Sequence, residues 1–313
     1  MGRTGSAIPS QLSGDSGADA STEHFSLTYF DPPDGLGRYI LTLFHFAWDE
    51  TAIADRHPGG LAQLFITLRG RGEIRFEDRI DPLEGAAHMF SGFEKAAPFR
   101  MEGPWHAIGA SLTPLGWAAL SNRPANEMID RLTPAGELLG EEITIFAAEL
   151  TARYRGGTVS GAEACEALGA WIRKNLKPVS SAHALLIGQT FAWLSTSLNP
   201  NVEALFEQLD YSRRQSERLV ARYFGFAPAA LARRYRAIRS ANLLSQPDLT
   251  DEGEAEIAAA FYDQPHMIRE IRRYCGYTPT RLGGPKDPLF QTMLRLKNLD
   301  RLREFRKIGE APG

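Results

Sequence analysis

The chain has 313 residues, with 35 Lys and Arg against 38 Asp and Glu and a formal net charge of −3. That balance argues against a polyanion-binding surface spread over the whole molecule, so any nucleic-acid site has to come from local charge. Two cysteines, Cys165 and Cys275, argue against a disulfide framework or a thiolate zinc site and suit a reducing cytoplasm; no apolar run approaches membrane-spanning length.

Residues 1–22 are rich in Gly, Ser and Ala and lack the apolar core of a signal peptide, so they read as a disordered tail. From 23 to 150 the chain opens with β texture. "YILTLFHFAW" and "LAQLFITL" are short apolar runs rich in aromatic and branched residues. In "GEIRFEDRI" Ile74 and Phe76 alternate with Arg75 and Glu77. "LRGRGE" reads as a hairpin turn between runs, and "AAHMFSGF" and "WHAIGASL" as further strands. Many short strands with frequent turns imply a small barrel or sandwich. The aromatics Phe44, Phe46, Trp48, Phe65, Phe76 and Trp105 read first as its core and second as the wall of an effector pocket.

At Thr113 the pattern changes, because Thr before Pro opens a helix. "AGELLGEEITIFAAELTARY", "GAEACEALGAWIRKNL" and "SAHALLIGQTFAWLSTSL" place apolar residues at three- and four-residue spacing. Residues 151–198 are read as a helical connector that ends at the break "NPN". The tail from 284 to 313 contains a basic amphipathic helix over 286–307, expected to pack on its own domain.

Between the connector and the tail one pattern is written twice. "YSRRQSERLVARYFGFAPAAL" from Tyr211 aligns without gaps on "YDQPHMIREIRRYCGYTPTRL" from Tyr262. Arg218 falls on Arg269, Val220 on Ile271, Arg222 on Arg273, Tyr223 on Tyr274, Gly225 on Gly276 and Pro228 on Pro279. Apolar, basic, Gly and Pro positions in phase imply a duplicated small module. In each copy an N-cap (Ser212 with Gln215 completing a capping box; Asp263) and a terminating glycine bound a helix. A shorter helix precedes each, in "NVEALFEQL" and "EGEAEIAAAF". Two short helices closely joined, the second polar and basic, make a helix-turn-helix.

The charge agrees with this reading. From Tyr211 to Ser240 there are eight Arg and one Glu, whereas Ser245–Ala260 has five acidic residues and no basic one. Arg214, Glu217 and Arg218 share a face at i, i+3 and i+4, with Arg213 beside them. The second copy presents Gln264, His266 and Arg269. Arg on guanine and Gln on adenine are favoured major-groove contacts, and Glu can accept from a cytosine amino group. Arg222, Arg233, Arg234, Arg236, Arg239, Arg272 and Arg273 are expected on phosphates, which position a protein without reading sequence. The joining segment "PAALARRYRAIRSANLL", if helical, is long enough to set two reading helices about one DNA turn apart, roughly 34 Å.

"FYDQPHMIREIRRYCGYTPTRL" and "GFAPAALARRYRAIRSANLL" resemble the AraC/XylS-type transcription regulators over residues 199–283. The resemblance implies two helix-turn-helix modules on a shared linker helix, double-stranded promoter DNA as the partner, and Arg213, Arg214, Gln215, Glu217, Arg218, Arg222, Asp263, Gln264, His266, Arg269 and Arg273 at or near the DNA. Asp210 and Ala260 stand where that family often has glycine, which implies a less regular second turn. "HPGGLAQLFITLRG" and "FSGFEKAAPFRMEGPWHAIGASLTPLGWAAL" resemble, more weakly, cupin-like sensor domains. The implied fold class is α+β: an N-terminal cupin-like β-barrel that senses a small molecule or pairs two chains, a helical connector, and an all-α C-terminal domain. RNA polymerase and a second copy of the chain are further partners it implies. Neither a Gly-x-Ser-x-Gly elbow, a P-loop nor a dinucleotide fingerprint is present. His24, His45, His57, His88 and His106 form no close His-x-His with a carboxylate, so neither an enzyme, a cofactor nor a metal is expected. The alternatives are a small-metabolite barrel enzyme fused to a regulatory DNA module, and a helical module whose Arg face meets an acidic protein.

Overall fold

Short apolar runs and period-two alternation make about the first third of the chain a sheet, and the structure, a computed structural model, describes residues 18–21, 25–84, 87–246 and 249–282. Its strands are β1 (Ala18–Ser21), β2 (Phe25–Phe30), β3 (Ile40–Trp48), β4 (Ala52–His57), β5 (Ala62–Arg75), β6 (Ile80–Glu84), β7 (Ala87–Phe90), β8 (Ala97–Leu112) and β9 (Thr133–Pro134). They form one antiparallel sheet in the order β1-β2-β3-β8-β5-β7-β9, with β4 added on β8 and β6 on β5.

The long strands β5 and β8 run through both halves of the sheet. Ala62–Thr67 pairs with Ala107–Leu112, and Arg71–Ile74 with Phe99–Glu102. Between these blocks the register shifts, and Gly70 sits at φ +78°. A Cβ on Gly70 would lie 2.6 Å from the Pro104 carbonyl oxygen and 2.7 Å from that of Glu102, so only glycine fits. A left-handed glycine lets a strand absorb an extra residue and bend. The hairpin expected at "LRGRGE" is therefore corrected: the segment is a bulge inside one strand. The reversal comes later, where the Phe76 N–H donates to the Arg79 carbonyl at 2.8 Å.

The bent sheet folds over on itself as an open barrel and is buried on both faces. Leu43, Ile66, Ile108 and Ala110 face helices, while Phe46, Phe65, Ile74 and Met101 face one another across the fold of the sheet. Small residues opposite large ones leave space there: Phe44 pairs with Gly109 and Phe46 with Ala107, and a Cβ on Gly109 would come within 2.3 Å of the Phe44 ring.

The helices are α1 (Pro114–Leu120), α2 (Ala135–Leu139), α3 (Glu141–Arg155), α4 (Gly161–Asn175), α5 (Ser181–Leu194), α6 (Val202–Gln208), α7 (Arg213–Phe224), α8 (Pro228–Leu244), α9 (Asp251–Ala260), α10 (Gln264–Cys275) and α11 (Pro279–Leu282). Thr113 opens α1 as expected, its hydroxyl accepting from the Gly116 N–H at 2.9 Å. α3 and α4 share a core with the sheet. A hydrogen-bonded chain also ties α3 to it: His45 Nε2 lies 2.9 Å from the Tyr154 hydroxyl, which lies 2.8 Å from His106 Nδ1, and His106 Nε2 reaches Asp49 at 2.9 Å. Burial, and then the charge of His106, lower the His45 pKa to about 4.

α5 packs instead with α7 and α8. A boundary at 150 thus falls inside α3, and the expected connector divides between two cores. The expected tail 1–22 is corrected at its end, since β1 pairs with β2 (Ala18 opposite Tyr29). Residues 1–17 and the helix expected over 286–307 lie outside the described residues. Among the described residues no helix is long and apolar enough to cross a membrane.

Candidate nucleic-acid interface

The two copies of the repeat fold alike. Ser212 caps α7, accepting from the Gln215 N–H at 3.4 Å, and Gly225 ends it at φ +84°. Asp263 caps α10, accepting from the His266 N–H at 2.7 Å, and Gly276 ends it at φ +83°. Each helix buries the matching stripe: Ser216, Val220 and Tyr223 in α7, Ile271 and Tyr274 in α10. α6 and α9 precede them, and neither Asp210, in the first turn, nor Ala260, the last residue of α9, takes a positive φ. The irregular second turn is thus corrected: neither turn uses the left-handed conformation that would have favoured glycine.

The outward faces carry the expected side chains. Arg214, Gln215, Glu217, Arg218 and Arg222 are exposed on α7, as are Gln264, Arg269 and Arg273 on α10. Several already have protein partners. Arg213 lies over the Phe206 ring and reaches Glu203 at 2.8 Å and Glu217 at 3.6 Å, and the two carboxylates, Glu203 first, raise its pKa. Asp263 serves as the cap, and His266 lies 3.2 Å from Glu270. Arg273 pairs with Glu94 of the barrel. Arg214 and Arg218 on α7, and Gln264 and Arg269 on α10, are the exposed pairs on these outward faces.

The linker helix α8 departs from expectation. Arg234, Arg236 and Arg239 are 3%, 7% and 8% exposed, so they are not phosphate contacts in this arrangement. Arg236 donates to Glu270 at 2.7 Å, to Asn199 at 2.8 Å and to the Ala260 carbonyl at 3.1 Å, which fixes α9 and α10 on α8. Arg239 donates to the Ser197 carbonyl at 3.1 Å. Arg234 donates to the carbonyls of Pro58, Gly59 and Phe93, all in the barrel. Its burial lowers its pKa to about 10, a state in which it still carries charge at neutral pH. The spacing gave no warning: Arg233, Arg236 and Arg239 recur every third residue and share a helix face, and only the packing of α9 and α10 on α8 separates the exposed Arg233 from the buried Arg236 and Arg239.

α10 is docked on the barrel as well. Beyond the Arg273–Glu94 pair, the Ala96 N–H donates to the Arg273 carbonyl at 3.1 Å and the Tyr277 hydroxyl donates to Asp55. Cys165 and Cys275 are buried thiols, as expected; burial raises both pKa values, that of Cys275 to about 12.

Inside the fold of the sheet lies a cavity of about 160 Å³. Of the six aromatics singled out in the sequence, Phe44, Phe46, Phe65 and Trp105 line it, while Phe76 and Trp48 pack in the surrounding core. Ile238 of α8 lines it too, a contribution that strand alternation could not reveal.

Residues 205–283 match the family model described as a helix-turn-helix domain. A comparison with curated proteins finds no match. Among solved structures, ToxT from Vibrio cholerae is 7% identical and is matched over 76% of this chain and 96% of its own, with a TM-score of 0.42. The AraC-like transcriptional activator CuxR is 13% identical over 75% of this chain and 85% of its own, with a TM-score of 0.28. AerE from Microcystis aeruginosa is 15% identical; the match spans 31% of this chain and less than half of AerE, 46%, with a TM-score of 0.24. Likenesses at these scores carry no inference about what this chain binds. The C-terminal region is a helix-turn-helix domain of the AraC type. The protein carrying it is a DNA-binding transcription regulator.

Proposed function

We propose that the protein reads promoter DNA in two successive major grooves, with α7 and α10 as the reading helices and α8 as the spacer between the modules. The observation that carries this is the matched pair of exposed faces, Arg214 and Arg218 on α7 with Gln264 and Arg269 on α10, on helices capped and terminated alike. α8 has 17 residues, about 25 Å at 1.5 Å per residue, a length suited to joining modules roughly one DNA turn apart. Arg222, Arg233 and Arg272 are exposed and take phosphates in this reading, and Arg273 joins them once it leaves Glu94. The barrel answers a small-molecule effector or pairs two copies of the chain, and the protein works in the cytoplasm, with RNA polymerase as a further partner.

Selection of bound sequences from a random duplex pool tests this, followed by binding of the selected duplex to wild type, Arg218→Ala and Arg269→Ala at several salt concentrations. Each substitution is expected to cost about 1–3 kcal/mol and to relax specificity at one position, in blocks about one helical turn apart. A uniform loss on all sequences would leave only nonspecific binding.

A further inference from the structure

Among the described residues, the wall of the barrel cavity includes no Lys, Arg, Asp or Glu. Its polar groups are few. His57 accepts the Gly59 N–H on Nδ1 at 2.9 Å, which places the proton of the neutral ring on Nε2. The indole N–H of Trp105 is shielded from solvent and has no hydrogen-bond partner. An anionic or cationic ligand would lose its hydration here and gain no counter-charge, a penalty of several kcal/mol per ion. The volume is comparable to that of an engineered apolar cavity of about 150 Å³ that holds benzene. Ring faces and edges supplied by Phe44, Phe65 and Trp105 suit an aromatic guest.

One part of the wall belongs to the DNA-binding half. Ile238 of α8 stands 3.5 Å from where a Cβ on Gly60 would lie, and both residues line the cavity. The neighbouring carbonyls of Pro58 and Gly59 accept from Arg234, one turn earlier on the same helix. The segment 57–61 is therefore at once cavity wall and seat for the linker helix.

We propose that the barrel cavity binds a small, uncharged, mainly aromatic molecule that rests against Ile238, and that its occupancy shifts the position of α8 and thereby the affinity for DNA. The effect on DNA rests on the regulator reading above; ligand binding itself does not, and it is measured without DNA.

The full chain is titrated with p-xylene as the neutral probe and benzoate as its charged counterpart, following tryptophan fluorescence and thermal unfolding. p-Xylene near tenfold its Kd is expected to raise Tm by about 2–4 °C, and benzoate to leave it unchanged. Ala107→Phe fills the cavity and should weaken p-xylene binding at least about tenfold. Ile238→Ala, which keeps the barrel intact should the first variant fail to fold, should weaken it about threefold or more. In wild type, p-xylene should change duplex affinity by at least about threefold. No binding of p-xylene up to its solubility, equal binding of benzoate, or binding unaltered by both substitutions would overturn the site. Binding without any change in duplex affinity would overturn the coupling to α8. A protein that takes up p-xylene but binds no duplex would refute the regulator reading while leaving the cavity assignment standing.

Discussion

His57 shows how one buried side chain makes stability depend on pH. The ring is packed edge-on against Phe90 and Phe93, and burial, then the charge of Arg234, lower its pKa from 6.5 to about 4. The folded state therefore favours the neutral ring. Its contribution is complete above the unfolded value of 6.5 and is lost as pH falls towards the folded value. One unit below the unfolded pKa, near pH 5.5, the loss is about 1.4 kcal/mol. His45, facing His106 and Tyr154, titrates in the same direction. Denaturant unfolding from about pH 7.5 to 5.5 should show falling stability, and His57→Gln should flatten that slope while His45 keeps the rest of it. An unchanged slope would mean that His57 meets water in the folded state. Nothing in the sequence marked this histidine: "DRHPGG" offers a turn, and the guanidinium that faces the ring arrives from a helix far along the chain.

Among the elements, α8 holds the most constrained charges. The Arg236–Glu270 pair is 8% and 11% exposed at its side chains and joins α8 to α10. Glu270→Ala would strand a buried guanidinium and should cost about 3–5 kcal/mol, whereas Arg236→Met with Glu270→Leu should cost far less, since a buried pair contributes little beyond an apolar replacement. Thermal unfolding of the three proteins checks this; equal losses for the single and double variants would mean that the pair is solvated. The reading helices themselves were legible because caps, glycine stops and apolar stripes are local signals: Ser212, Gly225, Asp263 and Gly276 sit where α7 and α10 begin and end. The fold of the sheet was not. "LRGRGE" carries the same glycines whether it reverses the chain or bulges within a strand, and the choice is made by β8, whose carbonyls at Glu102 and Pro104 crowd Gly70. The arginines of α8 were misread for the same reason, because their partners are carbonyls of the barrel and the Glu270 carboxylate, distant in sequence.

For the whole molecule, the decisive feature is that the barrel holds one arginine of α10 that the proposed DNA reading would use. Arg273 aligns with the exposed Arg222 of the first module, yet it is held by Glu94, and its carbonyl accepts from Ala96 at 3.1 Å while Tyr277 binds Asp55. The two modules, alike in sequence, are thus unlike in the intact chain: α7 presents Arg222 to solvent, and α10 gives the corresponding side chain to the barrel. A phosphate can take Arg273 only by displacing Glu94, so breaking that ion pair offsets part of the attraction to DNA. Glu94→Gln removes the carboxylate charge and keeps the shape of the side chain. Duplex affinity should rise, and the dependence of log K on log salt should steepen by about 0.9, the increment for one further phosphate neutralised. Titrations of the selected duplex from about 50 to 200 mM salt measure both quantities. Coincident lines for wild type and Glu94→Gln would show that Arg273 reaches the backbone in neither protein, leaving its pairing with Glu94 a purely structural one. A steeper line for Glu94→Gln would make the barrel a brake that keeps Arg273 from the backbone in wild type, and parallel lines with the variant higher would make it a brake released on binding DNA.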